Sequence, residues 1–424
     1  MNPRRRIAVV GSGIAGLGAA WRLSTAHDVV LFESSDRLGG HVHTHDIKLD
    51  GRRHAVDTGF IVFNHAHYPL LTALFESLGV ATRPTTMSFS VQDACNGLEY
   101  NATNLDGLFA QRRNVASPRF WGMLRDIRRF YRQAPALLEL PGGGPSLGEY
   151  VAANRYGDAF VDDHLVPMAS ALWSSPASAV LDFPAKYLVC FMQQHQMLQV
   201  EGRPQWRVVS GGSMRYVEAL QSRWRVDVRL RTRVERVARH AGGHVFVQCA
   251  NGSERFDEVV LACHGDDALA LLETPTPGER AVLGAIAYQD NDMVLHTDAR
   301  LLPRRRRAWA AWNAFVPVDR SEACTVSYCM NILQSIRSKQ PIVATLNRSA
   351  DIDAGKVLAR ARYRHPVHSH ASVAAQAGIP GISGRDRIWF AGAWCGYGFH
   401  EDGLRSGYAA ADGLLQRHQA GQAA

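Results

Sequence analysis

Apolar runs and glycines alternate near the start of the chain. Residues 7–10 (IAVV) end at Gly11, and residues 29–32 (VVLF) form a second apolar run after an Ala- and Leu-rich segment at 14–23. Short apolar runs bounded by glycine are typical of buried strands, and the segment between the two runs has the length of a connecting helix. The pattern predicts a strand–helix–strand unit.

The same kind of pattern returns in the middle and near the end of the chain. Residues 230–237 (LRTRVERV) alternate like a half-buried strand and precede a hairpin signal at 242–243 (GG). Residues 259–262 (VVLA) and 388–391 (IWFA) are further apolar runs. The last of them leads into a glycine-rich loop and a small-residue helix, which we expect to begin near Gly403.

Three glycines lie where the first strand meets the first helix. In Gly11-x-Gly13-x-x-Gly16 the glycines allow a tight turn, a close approach to a pyrophosphate, and close packing of helix on strand. The second strand ends at Glu33, 20 residues after Gly13, where a carboxylate accepts hydrogen bonds from ribose hydroxyls. These features predict a dinucleotide site that includes Ile14 and Ala15 at the helix N-terminus. A glycine-rich turn without a ligand is the alternative.

The residues after Glu33 indicate which dinucleotide binds. Arg37-Leu38-Gly39-Gly40-His41 resembles the flavoprotein signature of the amine oxidase and phytoene desaturase superfamily, and residues 56–60 (VDTGF) resemble a segment that passes close to the flavin. The resemblance implies FAD, with contacts from Ser34, Arg37, Gly39, Gly40, His41, Thr58, Gly59 and Phe60. Val234, in the middle segment, is the candidate for a backbone contact with the adenine, although any half-buried strand has this pattern.

The C-terminal segment resembles the closing motif of the same superfamily. There the N-terminus of the final helix faces the flavin, and its dipole and free N–H groups stabilise the anionic reduced ring. The resemblance implies contacts from Gly392, Ala393, Glu401, Asp402, Gly403 and Leu404. For Glu401 and Asp402, capping of the final helix is the alternative role.

The likeness extends over nearly the whole chain. Segments 56–64, 183–198, 206–220, 327–334, 363–367 and 396–407 resemble a bacterial subfamily of FAD-dependent oxidoreductases associated with cyclopropane-fatty-acid-synthase-like methyltransferases and the furan fatty acid pathway. The implied fold is α/β, with a Rossmann-type FAD-binding domain (1–70, 205–290 and 385–424) and a discontinuous α+β substrate domain (71–204 and 291–384), as in amine oxidase-like two-domain flavoproteins.

The resemblance implies an FAD-dependent oxidoreductase that removes two electrons from a C–H bond of a phospholipid acyl chain, methylated or not. Oxygen or a quinone would accept the electrons. Two alternatives stay open, namely an amine or amino-acid oxidase and a non-catalytic partner that supports a lipid methyltransferase and keeps FAD as a structural element.

Two departures from the amine oxidases argue against amine chemistry. Their lysine near the flavin lies on a strand matched here by residues 288–296, and the four lysines of this chain are at 48, 186, 339 and 356. One wall of their aromatic cage corresponds to His400. A histidine there suits proton transfer, so we predict His400 as the catalytic residue. A hydrogen bond to a loop carbonyl is the alternative, and we interpret His195 and His365 as structural.

Charge and composition suggest possible partners. The net charge is +8, and 47 Lys and Arg residues oppose 39 Asp and Glu residues. Arginines and aromatics mix at 112–132, on a predicted helix, and arginines cluster again at 304–307. Such mixtures suit peripheral contact with an anionic membrane surface, at the inner membrane face, and solvated faces explain them equally well.

The apolar runs and the cysteines limit where the protein is expected to work and which ligands it is expected to bind. The run at 7–10 is too short for a signal peptide, and no run reaches the roughly 18 apolar residues of a membrane span, so we expect a cytoplasmic protein. The seven cysteines form no C-x-x-C pair, so we predict no metal site, and no recognition motif indicates nucleic acid. The apolar residues 87–89, 183–184, 191–192, 197–198 and 309–312 are candidates for an acyl-chain tunnel or plain core.

Overall fold

The computed structural model describes residues 4–173, 177–320 and 322–423. Residues 1–3, 174–176, 321 and 424 belong to the predicted domain ranges and lie outside the described residues. Among the described residues, no helix is long and apolar enough to cross a bilayer.

Strands occur throughout the described chain. In chain order they are β1 (Arg6–Val10), β2 (Asp28–Phe32), β3 (Thr44–Leu49), β4 (Arg52–Asp57), β5 (Val62–Phe63), β6 (Thr82–Pro84), β7 (Phe89–Asp93), β8 (Glu99–Asn101), β9 (Arg207–Val209), β10 (Val226–Arg229), β11 (Val234–His240), β12 (His244–Cys249), β13 (Gly252–Phe256), β14 (Glu258–Leu261), β15 (Ala287–His296), β16 (Trp312–Val316), β17 (Thr325–Cys329), β18 (Val343–Leu346), β19 (Val357–Val367) and β20 (Ile388–Phe390).

Helices connect most of these strands. In chain order they are α1 (Ile14–Leu23), α2 (Pro69–Leu78), α3 (Leu105–Leu108), α4 (Pro118–Gln133), α5 (Leu147–Ala153), α6 (Asp158–Phe160), α7 (Val166–Trp173), α8 (Ala177–Leu181), α9 (Ala185–Gln194), α10 (Met214–Gln221), α11 (Gly265–Leu271), α12 (Pro277–Leu283), α13 (Met330–Leu333), α14 (His370–Gln376), α15 (Ile379–Ile382) and α16 (His400–Ala423).

A parallel sheet of five strands, in the order β10-β2-β1-β14-β20, gathers distant parts of the chain. The strands β1, β2, β14 and β20 are largely apolar runs because both faces are covered, whereas the edge strand β10 alternates apolar and charged residues. Helices α1 and α16 share a core with one face, and the small sheet β11-β12-β13 shares a core with the other. Ligands of open parallel sheets bind at the carboxyl ends of the strands. Gly11 follows β1 at this edge, Glu33 follows β2, and the loop 391–399 follows β20.

A second sheet of seven strands, in the order β19-β15-β18-β17-β16-β7-β8, lies with the helices α4 to α9 in the other part of the fold, and two small sheets, β3-β4 and β5-β9-β6, hold the remaining strands. The predicted α/β architecture is confirmed. The predicted domain limits stay predictions, and β15 (Ala287–His296) runs across the predicted limit at 290.

Two local predictions were wrong. Residues 230–237 are not one strand, because the chain turns between β10 and β11 and Arg231 has a φ of 53°. The final helix α16 begins at His400 and not near Gly403. The carboxylate of Asp402 accepts a hydrogen bond of 3.1 Å from the amide of Phe399, which caps the helix at this earlier position.

Candidate active site

A cavity of about 1720 Å³ connects the carboxyl edge of the parallel sheet with the seven-stranded sheet. It exceeds the roughly 300–1,000 Å³ of ordinary ligand pockets, so a dinucleotide and a second ligand can share it. Most of the predicted site residues line this cavity: Gly11, Gly13, Ile14, Ala15, Glu33, Ser34, Gly39, Gly40, His41, Thr58, Gly59, Phe60, Gly392, Ala393 and His400.

The N-terminus of α1 opens into the cavity and fits a pyrophosphate. Gly13 is the N-cap residue and makes no side-chain cap, so the first N–H groups of the helix are unpaired by side chains. A Cβ added at Gly13 would meet nothing within 4 Å, which leaves open space beside these donors. A Cβ added at Gly16 would lie 1.9 Å from the carbonyl oxygen of Gly11, so Gly16 is needed for packing.

Glu33 lies beside this loop as an ionised acceptor. Its carboxylate accepts hydrogen bonds from the Ser12 hydroxyl at 2.5 Å and from the Ser35 amide at 2.8 Å. Burial alone would raise the pKa of the carboxyl, but the bonds from Ser12 and Ser35 outweigh it and lower the pKa. The position and charge of Glu33 fit the ribose of a dinucleotide.

Seven predicted cofactor residues do not line the cavity, namely Gly16, Arg37, Val234, Glu401, Asp402, Gly403 and Leu404. The Arg37 guanidinium donates to the carbonyls of Val42 at 2.7 Å and Gly40 at 2.9 Å, so it supports the Gly39–Gly40 turn from behind. Val234 and Leu404 are buried in the cores on either face of the parallel sheet. Direct cofactor contacts from these residues stay predictions.

The acids at the start of α16 are occupied by backbone amides. The Glu401 carboxylate accepts from the amides of Leu70 at 2.9 Å and Leu71 at 3.0 Å, so it caps α2 and not its own helix. Asp402 caps α16. A Cβ added at Gly403 would lie 2.6 Å from Cγ2 of Ile14, so this glycine serves the packing of α16 on α1.

His400 lies in the cavity wall at the first position of α16. Its ring stacks on Phe60, with 3.8 Å between centroids and 8° between planes, and its Nε2 lies 2.8 Å from the hydroxyl of Tyr216. Burial lowers the pKa of the imidazole to about 3, so the ring is neutral at neutral pH. Its Nδ1 has a free lone pair only in the tautomer whose Nε2 donates to Tyr216.

A second group of rings lies in the same wall, and sequence reasoning predicted only His41 among them. His41 stacks on Tyr363 and His365, with 5.2 and 5.4 Å between centroids, and His264 stacks on Tyr288 at 4.5 Å. All five line the cavity, as does His195, so both His365 and His195 border the ligand space, and their interpretation as structural stays a prediction. One signal in the sequence could have indicated this group. Tyr363 and His365 are two residues apart, and alternate residues of a strand share a face.

A buried carboxylate supports the segment Thr58–Phe60. Asp57 accepts hydrogen bonds from Thr44 Oγ1 at 2.5 Å, from the Ser213 amide at 2.9 Å and from Gln334 Nε2 at 2.8 Å. The Ser213 hydroxyl lies 3.0 Å from the carbonyl oxygen of Phe60. Burial raises the pKa of Asp57 to about 6 in spite of these bonds.

We call the part of the cavity that lies against the seven-stranded sheet and the helices α4 to α9 the apolar arm. It is lined by Met87, Phe89, Leu124, Met168, Leu172, Phe191, Met197 and Leu333 among others. Of the predicted tunnel segments, residues 87–89 and Phe191, Met197 and Trp312 line the cavity, whereas Phe183, Met192, Leu198 and Trp309 do not. No lysine lines the cavity in the described part of the chain.

The fold and the loops around the cavity define an α/β flavoprotein. Residues 14–294, more than half of the chain, match the family of flavin containing amine oxidoreductases, and the chain belongs to this family. The predictions of FAD as cofactor, of an oxidoreductase and of the amine oxidase superfamily are therefore confirmed at the level of the family. The narrower subfamily stays a prediction.

Relatives cover a range of substrates. The chain is 26% identical over 291 residues to a flavin-containing monoamine oxidase of Mycobacterium tuberculosis, covering 64% of this chain and 60% of the relative. It is 24% identical over 297 residues to a 4,4'-diapolycopene oxygenase of Methylomonas sp, covering 62% and 56%. An L-amino-acid oxidase of Pseudechis australis is 51% identical over 51 residues, which are 12% of this chain and 10% of the relative. The aligned parts thus span less than two thirds of these relatives.

Solved structures share the whole fold. A cyclohexylamine oxidase from Brevibacterium oxydans matches with a TM-score of 0.71 and 14% identity, covering 98% of this chain and 100% of its own. A fatty acid isomerase from P. acnes matches with a TM-score of 0.65 and 16% identity, covering 97% and 98%. At these identities the likeness concerns the fold alone.

Proposed function

We propose that the protein is an FAD-dependent oxidoreductase that removes two hydrogens from an acyl chain of a lipid. The observation that carries this proposal is the wall of the apolar arm, in which aliphatic and aromatic side chains outnumber polar ones such as Thr85, Ser88 and His164. An alkyl chain gains free energy when it leaves water for such a surface. A charged ammonium group would lose its hydration there and would need an acidic partner or facing aromatic rings to compensate.

The carboxylates that line the cavity lie outside the apolar arm. Among the described residues, these carboxylates are Glu33 and Asp267. Glu33 belongs to the dinucleotide loop, and Asp267 receives hydrogen bonds from Arg364 at 3.2 and 3.3 Å. The arm therefore favours a neutral chain over an amine.

The reaction needs a two-electron acceptor and a place for a proton. FAD, when bound, supplies the two-electron acceptor. A desaturation breaks two C–H bonds on adjacent carbons, and one hydrogen leaves with its electron pair while the other leaves as a proton. We propose that His400, through Nδ1, receives this proton and that Tyr216 fixes the ring by accepting from Nε2. Oxygen or a quinone would then take the electrons.

The fold alone does not select a substrate, because a cyclohexylamine oxidase and a fatty acid isomerase share it. The relative named for 4,4'-diapolycopene supports a family range that extends beyond amines. The wall chemistry of this chain supports a lipid over an amine.

Anaerobic stopped-flow mixing tests the substrate class. Phospholipid vesicles from a bacterial lipid extract should bleach the flavin absorbance, and simple amines should not. Met168→Gln puts a polar group of similar length into the arm and should slow reduction by lipid roughly tenfold or more, while Met168→Leu should not. Bleaching by amines alone would establish the amine oxidase alternative. Firmly bound flavin that no donor reduces would establish the non-catalytic partner.

We further propose that the cavity opens onto an anionic membrane surface. Trp121 and Val200 line the cavity although they are 50% and 71% exposed, so they mark its opening. Trp121, Arg125, Arg128 and Arg132 recur at helical spacing on one face of α4. In the described chain, no carboxylate lies within ion-pair distance of Arg128, Arg132 or Arg203. An aromatic and arginine-rich rim of this kind suits anionic headgroups.

Vesicle co-sedimentation tests this surface. The triple variant Arg125→Gln, Arg128→Gln, Arg132→Gln should bind vesicles containing phosphatidylglycerol about 100-fold more weakly, at about 1 kcal/mol for each arginine. Vesicles of phosphatidylcholine alone should bind neither protein well. The matched triple variant Arg304→Gln, Arg306→Gln, Arg307→Gln should bind normally. Loss of binding in that second variant, with retention in the first, would refute the assignment to α4.

A further inference from the structure

We infer that His365 presents a fixed N–H donor to the cavity and that this donor binds an acceptor atom of the flavin ring. His365 lies on β19, and its Nδ1 is 3.1 Å from Nδ2 of Asn291 on the neighbouring strand β15. The inference concerns the site of the proposed function and rests on the binding of flavin there, but not on the identity of the substrate.

His365, Asn291 and Asn347 form a chain of hydrogen bonds, which we call the relay. Backbone groups fix the direction of every hydrogen bond in it. The amide of Asp292 can only donate, and it lies 2.9 Å from Oδ1 of Asn347. Nδ2 of Asn347 therefore donates to Oδ1 of Asn291, at 2.8 Å. Nδ2 of Asn291 also lies 3.1 Å from the carbonyl oxygen of Gln289, which can only accept.

The relay assigns the tautomer of His365. Because Asn291 contributes Nδ2, a donor, Nδ1 of His365 must accept, and the ring hydrogen is on Nε2. Burial lowers the pKa of this imidazole to about 4, so the ring stays neutral and keeps this single N–H. Within the described chain, no protein group bonds to Nε2, and His365 lines the cavity. The Nε2–H group faces the open space of the cavity and not the protein interior, so a bound acceptor can pair with it.

The surroundings of His365 favour the flavin over the substrate as the acceptor. Its ring stacks on His41, which directly follows Gly40, and His41 also stacks on Tyr363. The Tyr363 hydroxyl lies 2.8 Å from Thr58 Oγ1. His365 thus lies among the two segments predicted to contact the flavin and outside the apolar arm. The flavin ring carries carbonyl oxygens and ring nitrogens that accept such a bond.

A matched pair of variants tests the donor in the holoenzyme without substrate. His365→Gln keeps an N–H donor of similar reach, whereas His365→Met has a similar length and no donor. A donor stabilises the electron-rich reduced ring more than the oxidised ring. We expect His365→Met to weaken flavin reduction at least tenfold at equilibrium, equivalent to about 30 mV in the two-electron midpoint potential, and His365→Gln to stay near the wild type.

Two further variants separate this role from a structural one. Asn291→Leu removes the relay and should shift the midpoint potential in the same direction by less, because the ring can then turn. His240→Leu, on the exposed end of β11, should leave it unchanged. Equal potentials for His365→Met and His365→Gln, with FAD fully bound, would overturn the inference. If the potentials are equal but His365→Met weakens lipid binding, the donor faces the substrate. The outcome is independent of which substrate reduces the flavin.

Discussion

Tyr216 and His400 form a hydrogen bond of 2.8 Å between the tyrosine hydroxyl and Nε2 of the imidazole, at the point where α16 begins in the cavity wall. Tyr216 is fully buried, so its hydroxyl depends on this bond. The bond leaves Nδ1 as the ring nitrogen that can act on a ligand.

This pair predicts the kinetics of flavin reduction. His400→Ala should slow reduction on the order of 100-fold or more if the ring takes a proton. Tyr216→Phe should cause a smaller loss, because the ring stays but the hydroxyl no longer holds its orientation. Since the imidazole is active when neutral and its pKa is about 3, this group should make the rate fall only as the pH drops towards 3. Anaerobic stopped-flow measurements across pH check both effects.

Tyr408→Phe is the control, because Tyr408 lies on α16 and does not line the cavity. It should reduce its flavin at the wild-type rate. Unchanged reduction in His400→Ala would remove this residue from the mechanism.

The dinucleotide loop and the parallel strands could be predicted from the sequence because their signals are local. Gly11, Gly13 and Glu33 could be recognised from their spacing to short apolar runs, and the structure brings all three to one cavity. The role of His365 could not be predicted in this way. It depends on the pairing of β19 with β15, where Gln289 lies opposite His365, and on side chains far apart in the sequence.

The start of α16 shows a second limit of prediction from the sequence. Glu401 and Asp402 are adjacent acids, and the sequence offered capping of one helix as their shared alternative to binding the cofactor. The structure separates them, since Glu401 reaches the amides of α2, more than 300 residues earlier. A contact that depends on packing between distant segments has no local signature.

Glu401 gives a prediction about stability. Glu401→Ala should leave two amides of α2 unpaired, one of them fully buried, and lower the free energy of unfolding by about 1–3 kcal/mol. Glu401→Gln keeps one acceptor oxygen and should cost less. Both variants should retain stoichiometric FAD, because the carboxylate is occupied by Leu70 and Leu71. Denaturant unfolding and flavin content are the measurements, and release of FAD from Glu401→Gln at unchanged stability would assign the residue to the cofactor.

Asp57 predicts a pH dependence of stability. Its pKa is raised from an ordinary value of 3.8 to about 6 by burial, so the folded state favours the protonated form. The associated stability is fully present below about pH 3.8 and is lost as the pH rises through 6. At 1.36 kcal/mol per unit, the loss is on the order of 3 kcal/mol. Asp57→Asn should flatten this part of the profile, as measured by urea unfolding between pH 4 and 8. A profile identical to that of the wild type would contradict the prediction.

Two glycines of the first motif predict opposite outcomes for the same substitution. At Gly13 the backbone has a φ of −62°, which any residue adopts, and an added Cβ meets only the open cavity. Gly13→Val should therefore fold with a free energy of unfolding, measured on the apoprotein, within about 0.5 kcal/mol of the wild type. It should bind no FAD, because the side chain fills the space beside the helix N–H groups.

Gly16→Val should instead fail at folding. Its Cβ would lie 1.9 Å from the carbonyl oxygen of Gly11, so strand and helix would have to separate, at a cost of about 1–3 kcal/mol or more. Circular dichroism melting of the two apoproteins, with flavin content after reconstitution, distinguishes the cases. Gly13→Val that holds one FAD per chain would disprove the position proposed for the pyrophosphate, whereas equal destabilisation of the two apoproteins would mean that Gly13 serves packing and not the ligand.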